Sequence, residues 1–376
     1  MATAIPRDRR IALLTSGGDA PGMNAAIRAA TALCIAEGYN VLGVRNGYRG
    51  LLRGDFVPLT MNDVGGILRD GGTTLGSARC LEMHQPDARD KARQHLTTAN
   101  VGGLIVIGGN GSLTGALALT DPGEAPDVSF SVVGIPASID NDIGLTGMAI
   151  GVDTAMNTIV EACDKISDTA SAHDRTFIVE VMGRDCGYLA MTAAIAAGAD
   201  AVLFREAEKT PDEVVELIAK TVIRAREGAG RPQRVVVIKS EGTLLRNDEL
   251  KTRVDARLVE LLGEAGPPVE TRVTVLGHVV RGGRPSAFDR LLASRLAHVA
   301  VRALLAGDTR KMAGWMLPLD GALPAEIGAR SESAPYCNLI NLAAVIDETR
   351  RLLDGTSTLT RWRRDVFARI EDVLSL

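Results

Sequence analysis

Short runs of apolar, often β-branched residues recur along this chain, and most are followed by a stretch with helical periodicity. The runs are continuous rather than alternating, which is typical of strands covered on both faces in a parallel sheet. Strands that alternate with helices predict βαβ units and a doubly wound α/β fold. We expect strands at residues 11–15, 40–44, 103–107, 130–135, 176–181, 201–204, 235–238 and 273–276, and helices at 23–37, 154–167, 211–226 and 253–262.

The length of 376 residues exceeds that of one ordinary hydrophobic core, so we expect two domains or lobes. The first change of lobe is expected soon after Asp142. Residues 344–376 have helical periodicity, and we expect their apolar stripe to pack against the body or another subunit. The stripe consists of Val366, Phe367, Ile370, Val373 and Leu374.

The composition argues against a nucleic-acid or membrane binder. The formal net charge is −4 and aromatic residues make up 3% of the chain, so a basic surface and stacking platforms are not expected. No run of about 20 apolar residues that could span a membrane occurs. Five cysteines without a Cys-x-x-Cys motif indicate free thiols in a reducing compartment. We therefore expect a cytoplasmic protein.

Two glycine-rich segments follow predicted strands. The segment TSGGDAPGMN at 15–24 joins a strand to a helix, where backbone N–H groups can bind phosphate. It lacks the Gly-Lys-Ser/Thr of a P-loop. A tight strand-to-helix turn without a ligand is an equal interpretation, because such turns are common. The segment GGNGS at 108–112 is a second phosphate-binding candidate. Gly109, Gly111 and Gly115 are spaced one residue too far for a dinucleotide fingerprint, which disfavours an NAD-binding dehydrogenase.

The segment GIPASIDND at 134–142 places two carboxylates, Asp140 and Asp142, directly after a predicted buried strand. In an extended segment, residues two apart point to the same side. One carboxylate could then accept a hydroxyl proton while the other helps to hold Mg²⁺. The structural alternative is an Asx-rich turn that caps the next helix. We favour chemistry because Ser138 and both carboxylates accompany two glycine loops.

Basic residues at predicted strand ends or beside glycines complete the candidate site. Arginine can pair with phosphate through two parallel hydrogen bonds and stabilise a transferring phosphoryl group. A structural role is an equal interpretation for His278. The set comprises Arg79, Arg175, Arg184, Arg272, His278 and Arg281.

These motifs resemble the bacterial-type 6-phosphofructokinase family over about residues 10–302. The segments that carry the resemblance are LTSGGDAPGMNAAIR at 14–28, GGTTLGSAR at 71–79, IPASIDND at 135–142, VEVMGRDCG at 179–187 and VLGHVVRGGRPSAFDRLLASR at 275–295. The resemblance implies two doubly wound three-layer lobes with the active site between them. It also implies transfer of the terminal phosphoryl group of ATP to the 1-hydroxyl of fructose 6-phosphate in glycolysis, with Mg²⁺ as cofactor.

The resemblance also implies a domain organisation. Residues 11–150 with about 280–330 would form a larger phosphoryl-donor lobe, and 151–279 a smaller sugar-phosphate lobe. Residues 1–10 would be a flexible tail and 331–376 a helical C-terminal extension. A homo-oligomer is implied, a tetramer or dimer with shared active sites.

Matching the motifs position by position implies roles for individual residues. Asp140 would deprotonate the sugar hydroxyl, and Asp142 would support the base or the metal. Ser138 stands where the family usually has Thr and would contact the transferring phosphoryl group. Arg184 and Gly18 would stabilise that group.

The implied binding residues form two sets. Met182, Gly183, Arg184 and Glu241 would hold the sugar, while Arg175, Arg272, His278 and Arg281 would hold its 6-phosphate, the first two coming from the neighbouring subunit. Gly18, Tyr48, Arg79, Cys80, Gly109, Asn110, Gly111, Ser112 and Gly115 would lie on the nucleotide side.

Departures from the family pattern leave alternatives open. Asn110 stands where most members have an acidic Mg²⁺ ligand, and an amide oxygen can ligate Mg²⁺ without contributing charge. Pyrophosphate users tend to carry Asp where Gly111 stands and Lys where Ala137 stands, so these two residues favour ATP. A pyrophosphate-dependent enzyme remains one alternative. A catalytically weak relative that acts as a sugar-phosphate sensor or partner subunit is another.

Overall fold

The computed structural model describes residues 3–227, 234–263, 270–315, 328–330 and 336–374, with only the backbone of 329–330 and 370–374. This part of the chain contains strands β1 (Arg10–Ser16), β2 (Val41–Val44), β3 (Phe56–Leu59), β4 (Val101–Gly108), β5 (Ser131–Pro136), β6 (Thr176–Val181), β7 (Ala201–Leu203), β8 (Val235–Ser240), β9 (Thr271–Val275), β10 (Lys311–Trp315), β11 (Gly328–Arg330) and β12 (Cys337–Asn341).

The helices alternate with these strands over most of the chain, as the periodicity predicts. They are α1 (Met23–Ala36), α2 (Gly47–Leu51), α3 (Met61–Val64), α4 (Pro86–Thr98), α5 (Asn110–Leu119), α6 (Val152–His173), α7 (Tyr188–Ala197), α8 (Pro211–Glu227), α9 (Asn247–Leu262), α10 (Ala287–Leu305), α11 (Leu342–Leu353) and α12 (Thr358–Leu374). Short 3₁₀ helices span Ile67–Arg69, Leu81–His84, Arg205–Ala207 and Gly277–Arg281.

The chain divides into two compact units. The first unit comprises Met1–Thr154 and Arg281–Leu352, and the second comprises Ala155–Val280 and Leu353–Leu376. Each unit has its own sheet, which agrees with the expectation of two α/β lobes.

The sheet of the first unit has the strand order β11-β12-β10-β5-β4-β1-β2-β3 in the described residues. β1 pairs in parallel with β2 on one side and with β4 on the other, and β4 pairs in parallel with β5. Every residue of β4 is buried, as expected for a strand covered on both faces. The strand order reverses between β1 and β4, and ligands of open α/β sheets bind at the carboxyl ends of strands at such a point.

The second unit contains a parallel sheet with the order β7-β8-β6-β9. Its core includes Ile178 of β6, Val237 of β8, Leu203 of the edge strand β7 and Ile218 of α8, all buried. β6 pairs with both β8 and β9, so the loops that follow these three strands leave the sheet at one edge. This edge carries several of the predicted sugar residues.

The eight strands predicted from the sequence are confirmed within two residues at each end. Four other strands have no clear sequence signal. β3 contains Pro58 and pairs antiparallel with β2 at the sheet edge, and β12 pairs antiparallel with β10. Such strands are defined by their partners rather than by continuous apolar runs. α9 begins at Asn247, whereas we predicted a start at residue 253. The prediction began too late because the first turns of α9 are largely polar and show little apolar periodicity.

The two ends of the chain differ from the tail and helical extension that we expected. Ile5 is buried, and its carbonyl accepts a hydrogen bond from the Tyr39 hydroxyl at 2.6 Å. The Arg9 guanidinium donates to the Val101 carbonyl at 2.6 Å, so residues 3–9 pack on the first unit. The expected C-terminal extension contains β12 before its two helices, because these residues complete the antiparallel part of the sheet.

The apolar stripe near the C-terminus packs on the second unit through Phe367, which is 3% exposed. The side chains of the other stripe members from residue 370 onward lie outside the described residues. No helix in the described part of the chain is both long and apolar enough to cross a membrane.

Candidate active site

The first unit contains a cavity of about 560 Å³ at the carboxyl ends of β1 and β4, a volume within the usual range for small-ligand pockets. All residues that line it belong to the first unit. The structure therefore brings together the glycine segments, the carboxylate segment and two of the arginines singled out in the sequence. These lining residues are Gly18, Tyr48, Arg79, Cys80, Gly109, Asn110, Gly111, Ser112, Gly115, Ser138, Asp140, Asp142 and Arg281.

One wall of the cavity is built around the buried ring of Tyr48. Its hydroxyl donates to the Ser112 carbonyl at 2.7 Å, and burial raises the pKa of the phenol. Gly115 is required beside it, because a Cβ at this position would lie 2.9 Å from the Tyr48 ring. At Gly111, by contrast, a Cβ would meet no atom within 4 Å, so this position faces open space.

α5 begins at Asn110, with Gly109 at its N-cap, so its free backbone N–H groups lie at the cavity. Helix N-termini favour anionic ligands such as phosphate. This helix end, rather than a P-loop or dinucleotide fingerprint, makes the segment at 108–112 suited to a polyphosphate.

The carboxylate segment differs in conformation from our expectation. Residues 139–140 form a turn, and Asn141 adopts the left-handed region with φ 49° instead of continuing an extended strand. Asn tolerates this region, and here its side chain bonds Ala149 N at 3.0 Å and Gly147 O at 3.1 Å. The prediction that extended geometry aligns the carboxylates is therefore wrong. The turn nevertheless leaves both Asp140 and Asp142 at the cavity.

Ser138 and Asp142 are directly connected, because the Ser138 hydroxyl donates to Asp142 Oδ1 at 2.7 Å. Asp140 is only partly exposed, and its Oδ1 is shielded from solvent. The cavity thus contains one carboxylate joined to a neighbouring hydroxyl and a second, largely shielded carboxylate two residues before it.

Arg281 reaches the first glycine segment. Its Nη1 donates to the Asp19 carbonyl at 3.2 Å, and a Cβ at Gly18 would lie 2.7 Å from the same nitrogen. A guanidinium beside a strand-to-helix glycine turn adds positive charge where a phosphate would bind.

Another part of the cavity wall is formed by residues that were not predicted from the sequence. A buried arginine supports this wall: Arg89 donates to the Met83 carbonyl at 2.9 Å and pairs with Glu124, which also pairs with Arg93 at 3.0 Å. These two guanidinium groups lower the pKa of Glu124 to about 2. The missed lining residues are Ser16, Gly17, Leu81, Met83, His84, Arg89, Thr114, Ala118 and Ala137. Of these, Ser16, Gly17 and Ala137 lie in segments that the motifs identified.

A buried carboxylate fixes the chain just after the carboxylate segment. Asp289 of α10 is fully buried and accepts hydrogen bonds from Gly151 N at 2.9 Å and Thr154 N at 2.8 Å. These bonds satisfy donors at the start of α6, as an N-cap would. The pKa of Asp289 is raised overall, because the effect of burial exceeds that of the hydrogen bonds, which lower it.

In the second unit, part of the predicted set gathers at the carboxyl ends of β6 and β8. Met182, Gly183 and Arg184 follow β6, and Glu241 follows β8. The Ser240 hydroxyl donates to the Gly183 carbonyl, which joins the two loops. His278 is exposed in the 3₁₀ helix that follows β9, at the same edge of the sheet.

Arg175 and Arg272 lie at the opposite side of this sheet, at the amino ends of its strands. Arg175 immediately precedes β6, and Arg272 is the second residue of β9 and the register partner of Phe177. Both guanidinium groups pair with Glu270, that of Arg175 at 3.0 Å. Within the second unit, the length of β6 therefore separates these two arginines from Met182 and Arg184.

Comparison with known proteins identifies the family. The family model described as Phosphofructokinase matches residues 10–304. The chain belongs to the phosphofructokinase family. This membership confirms the resemblance that the sequence motifs indicated.

Relatives in this family match most of the chain. The chain is 46% identical over 304 residues to a protein of Thermotoga neapolitana named ATP-dependent 6-phosphofructokinase, covering 81% of this chain and 89% of that one. It is 41% identical over 339 residues to ATP-dependent 6-phosphofructokinase 1 of Clostridium perfringens, covering 89% and 99%. The solved structure of Saccharomyces cerevisiae phosphofructokinase matches 96% of this chain with a TM-score of 0.75 at 34% identity. The chain spans 50% of that yeast chain.

Proposed function

We propose that this phosphofructokinase transfers the terminal phosphoryl group of ATP to the 1-hydroxyl of fructose 6-phosphate, giving ADP and fructose 1,6-bisphosphate. The observation that carries the proposal is the first-unit cavity, where Asp140 shares the walls with two glycine segments and the N-terminus of α5. The names of the relatives support ATP as donor. The open space at Gly111 and the short side chain of Ala137 are consistent with a nucleotide rather than pyrophosphate.

Asp140 is the proposed general base. Its carboxylate accepts the proton of the 1-hydroxyl as the sugar oxygen bonds to the γ-phosphorus. The bond from that phosphorus to the β–γ bridging oxygen breaks, and ADP leaves. We propose that Ser138, the backbone N–H of Gly18 and Arg184 stabilise the charge on the transferring group, which is the main contribution of protein groups to phosphoryl transfer.

Mg²⁺ fits the oxygen ligands of the first-unit cavity. Asp142 offers a carboxylate and Asn110 an amide oxygen, and Mg²⁺ in nucleotide sites usually takes one or two carboxylates with substrate phosphates. Across the described residues, no three His, Cys, Asp or Glu side chains group closely enough to hold a metal by themselves. Asp142 and Asn110 would therefore hold the ion together with the ATP phosphates, where it would neutralise phosphate charge.

The sugar phosphate is proposed to bind residues from two copies of the chain. Met182, Gly183 and Glu241 would hold the sugar, while His278 and Arg281 would contribute to binding the 6-phosphate. Arg175 and Arg272 lie at the opposite edge of their sheet, so we assign them to the site of a neighbouring subunit. A homo-oligomer, a dimer or tetramer, is thus part of the proposed active form.

A donor-by-acceptor activity matrix tests the proposal. Purified protein with Mg²⁺ is assayed with ATP or pyrophosphate against fructose 6-phosphate, tagatose 6-phosphate and sedoheptulose 7-phosphate, measuring kcat/KM for each pair. We expect ATP with fructose 6-phosphate to give the highest value. Turnover with pyrophosphate alone would overturn the donor assignment. Turnover no higher than that of Asp140→Ala, with the sugar phosphate still bound, would instead indicate a sensor.

A further inference from the structure

The C-terminal helix α12 packs on the second unit next to the loop that carries Arg184. α12 lies beyond residue 304, where the family match ends, and both α12 and the loop belong to the second unit. The loop comprises residues 184–187 between β6 and α7. Its first two residues are exposed, and its last two, Cys186 and Gly187, are buried.

Arg363 of α12 makes the most direct contact with this loop. Its guanidinium lies 4.6 Å from the centroid of the Tyr188 ring, a cation–π geometry, and Nη1 lies 3.7 Å from Cys186 Sγ. One side chain therefore contacts the end of the loop and the first residue of α7.

Phe367, one helical turn further along α12, reaches the loop indirectly. Its ring packs edge-to-face on Phe204 with a centroid distance of 4.8 Å. Phe204 leads into the segment whose Glu206 carboxylate accepts from Gly187 N at 2.8 Å. A Cβ at Gly187 would overlap the Phe204 side chain, so the Gly187 backbone lies directly against that side chain.

The loop is held from the other side by the segment that follows β8. The Gly183 carbonyl accepts from Ser240, and a Cβ at Gly242 would overlap the Arg184 carbonyl oxygen. The segment that carries Glu241 therefore lies against the backbone of Arg184 on one side. α12 contacts the residues that follow Arg184 in the loop. Contacts from α12 and from the segment after β8 thus hold both ends of the loop.

We infer that α12 positions the Arg184 loop for the sugar phosphate, with Arg363 as the principal positioning residue. The inference rests on the proposed role of Arg184. Arg363 need not touch substrate; it fixes Cys186 and Tyr188, and through them the backbone direction in which Arg184 projects. If α12 only stabilised the fold, a substitution in it would change the kinetics with both substrates to the same extent.

The test measures sugar-phosphate kinetics and ATP kinetics separately in the whole 376-residue chain. Arg363→Met keeps most of the side-chain length and removes the charge, and Arg363→Lys retains a cation over the ring. For Arg363→Met we expect KM for fructose 6-phosphate to rise about 3- to 10-fold, as for loss of one cation–π contact with its packing, and KM for ATP to stay within about twofold. Arg363→Lys should recover part of the loss.

Arg364→Met is the matched control, because Arg364 neighbours Arg363 on α12 but pairs with the exposed Glu208 at 3.5 Å. It should leave both KM values within about twofold of wild type. Unchanged fructose 6-phosphate kinetics in Arg363→Met, or equal changes for both substrates, would overturn the positioning role. If Arg363→Met does not fold, Arg363→Lys decides the same question by whether its effect is confined to the sugar phosphate.

Arg184→Ala in the same assay separates this inference from the proposed function. A large loss in Arg184→Ala without an effect in Arg363→Met would reject only the role of α12. Arg184→Ala with wild-type kinetics would reject the role of Arg184 and, with it, the basis of the inference.

Discussion

The two units distribute their candidate site residues in different ways. In the first unit, residues from six separate segments, including Tyr48 and Asp140, line one cavity. In the second unit, the predicted sugar residues divide between the two edges of one sheet, with Arg184 at the carboxyl ends and Arg175 at the amino ends. In a parallel sheet, the loops that follow the strands all leave at the carboxyl ends of the strands. One chain therefore contains the whole lining of the first-unit cavity, whereas we propose that the full phosphate-binding set includes residues of a second copy.

The largest expected effect tests the base in the first-unit cavity. Asp140→Ala should lower kcat about 10²- to 10⁴-fold, because a positioned base contributes roughly that much to proton transfer, and should change both KM values little. Steady-state kinetics with ATP and fructose 6-phosphate measure this. A mild effect on kcat would remove Asp140 from the role of base. Asp153→Ala, a control outside the cavity lining, should not reproduce a loss of this size.

A subunit-mixing experiment tests the division of residues in the second unit. Asp140→Ala and Arg272→Ala are each expected to be nearly inactive at low fructose 6-phosphate. If the active site takes Asp140 from one copy and Arg272 from another, randomly mixed dimers should recover roughly a quarter of the wild-type rate. Refolding or subunit exchange of an equimolar mixture, followed by activity assay, measures the recovery. No recovery in mixtures verified to contain hybrids would place both residues in the site of the same copy.

A substitution at Gly111 tests why the first-unit cavity accepts a nucleotide. Gly111→Asp should fit without disturbing the fold, because a Cβ there meets no atom within 4 Å. The added carboxylate should oppose the ATP phosphates and lower kcat/KM for ATP about 10- to 100-fold. Gly111→Ala adds bulk without charge and should have a smaller effect. Unchanged ATP kinetics with Gly111→Asp would show that this position does not face the nucleotide.

The smallest expected effect concerns the support of the first-unit cavity wall. The pKa of Glu124 is about 2 in the folded protein, below its ordinary value of 4.5, because Arg89 and Arg93 stabilise the carboxylate. Its contribution to stability is therefore present above pH 4.5 and lost as pH falls toward 2.

Urea unfolding at several pH values measures this contribution. The difference in stability between wild type and Glu124→Gln should shrink as pH falls below 4.5. Glu161→Gln, which removes an exposed pair with Lys165, is the control and should change stability less at neutral pH. A difference from Glu124→Gln that does not vary with pH would contradict a role for the ionised carboxylate.

The sequence by itself determined the fold class and many of the residues in the first-unit cavity. Continuous apolar runs identified the buried parallel strands, because strands covered on both faces need apolar residues at consecutive positions. The glycine and carboxylate motifs identified Gly109 and Asp140, because local spacing reveals strand ends where ligands bind. The edge strand β3 and the antiparallel β12 were missed because their pairing depends on distant segments.

Only the tertiary structure showed how the second-unit residues are distributed and what supports the site. Sequence spacing gave no sign that Asn141 breaks the extended segment, that Asp289 holds the start of α6, or that Arg363 contacts Cys186. These contacts join residues that are up to 177 positions apart, and local periodicity contains no information on such pairs. The sequence thus specified which functional side chains follow the strands. Long-range packing decided which of those side chains lie at the same end of a sheet.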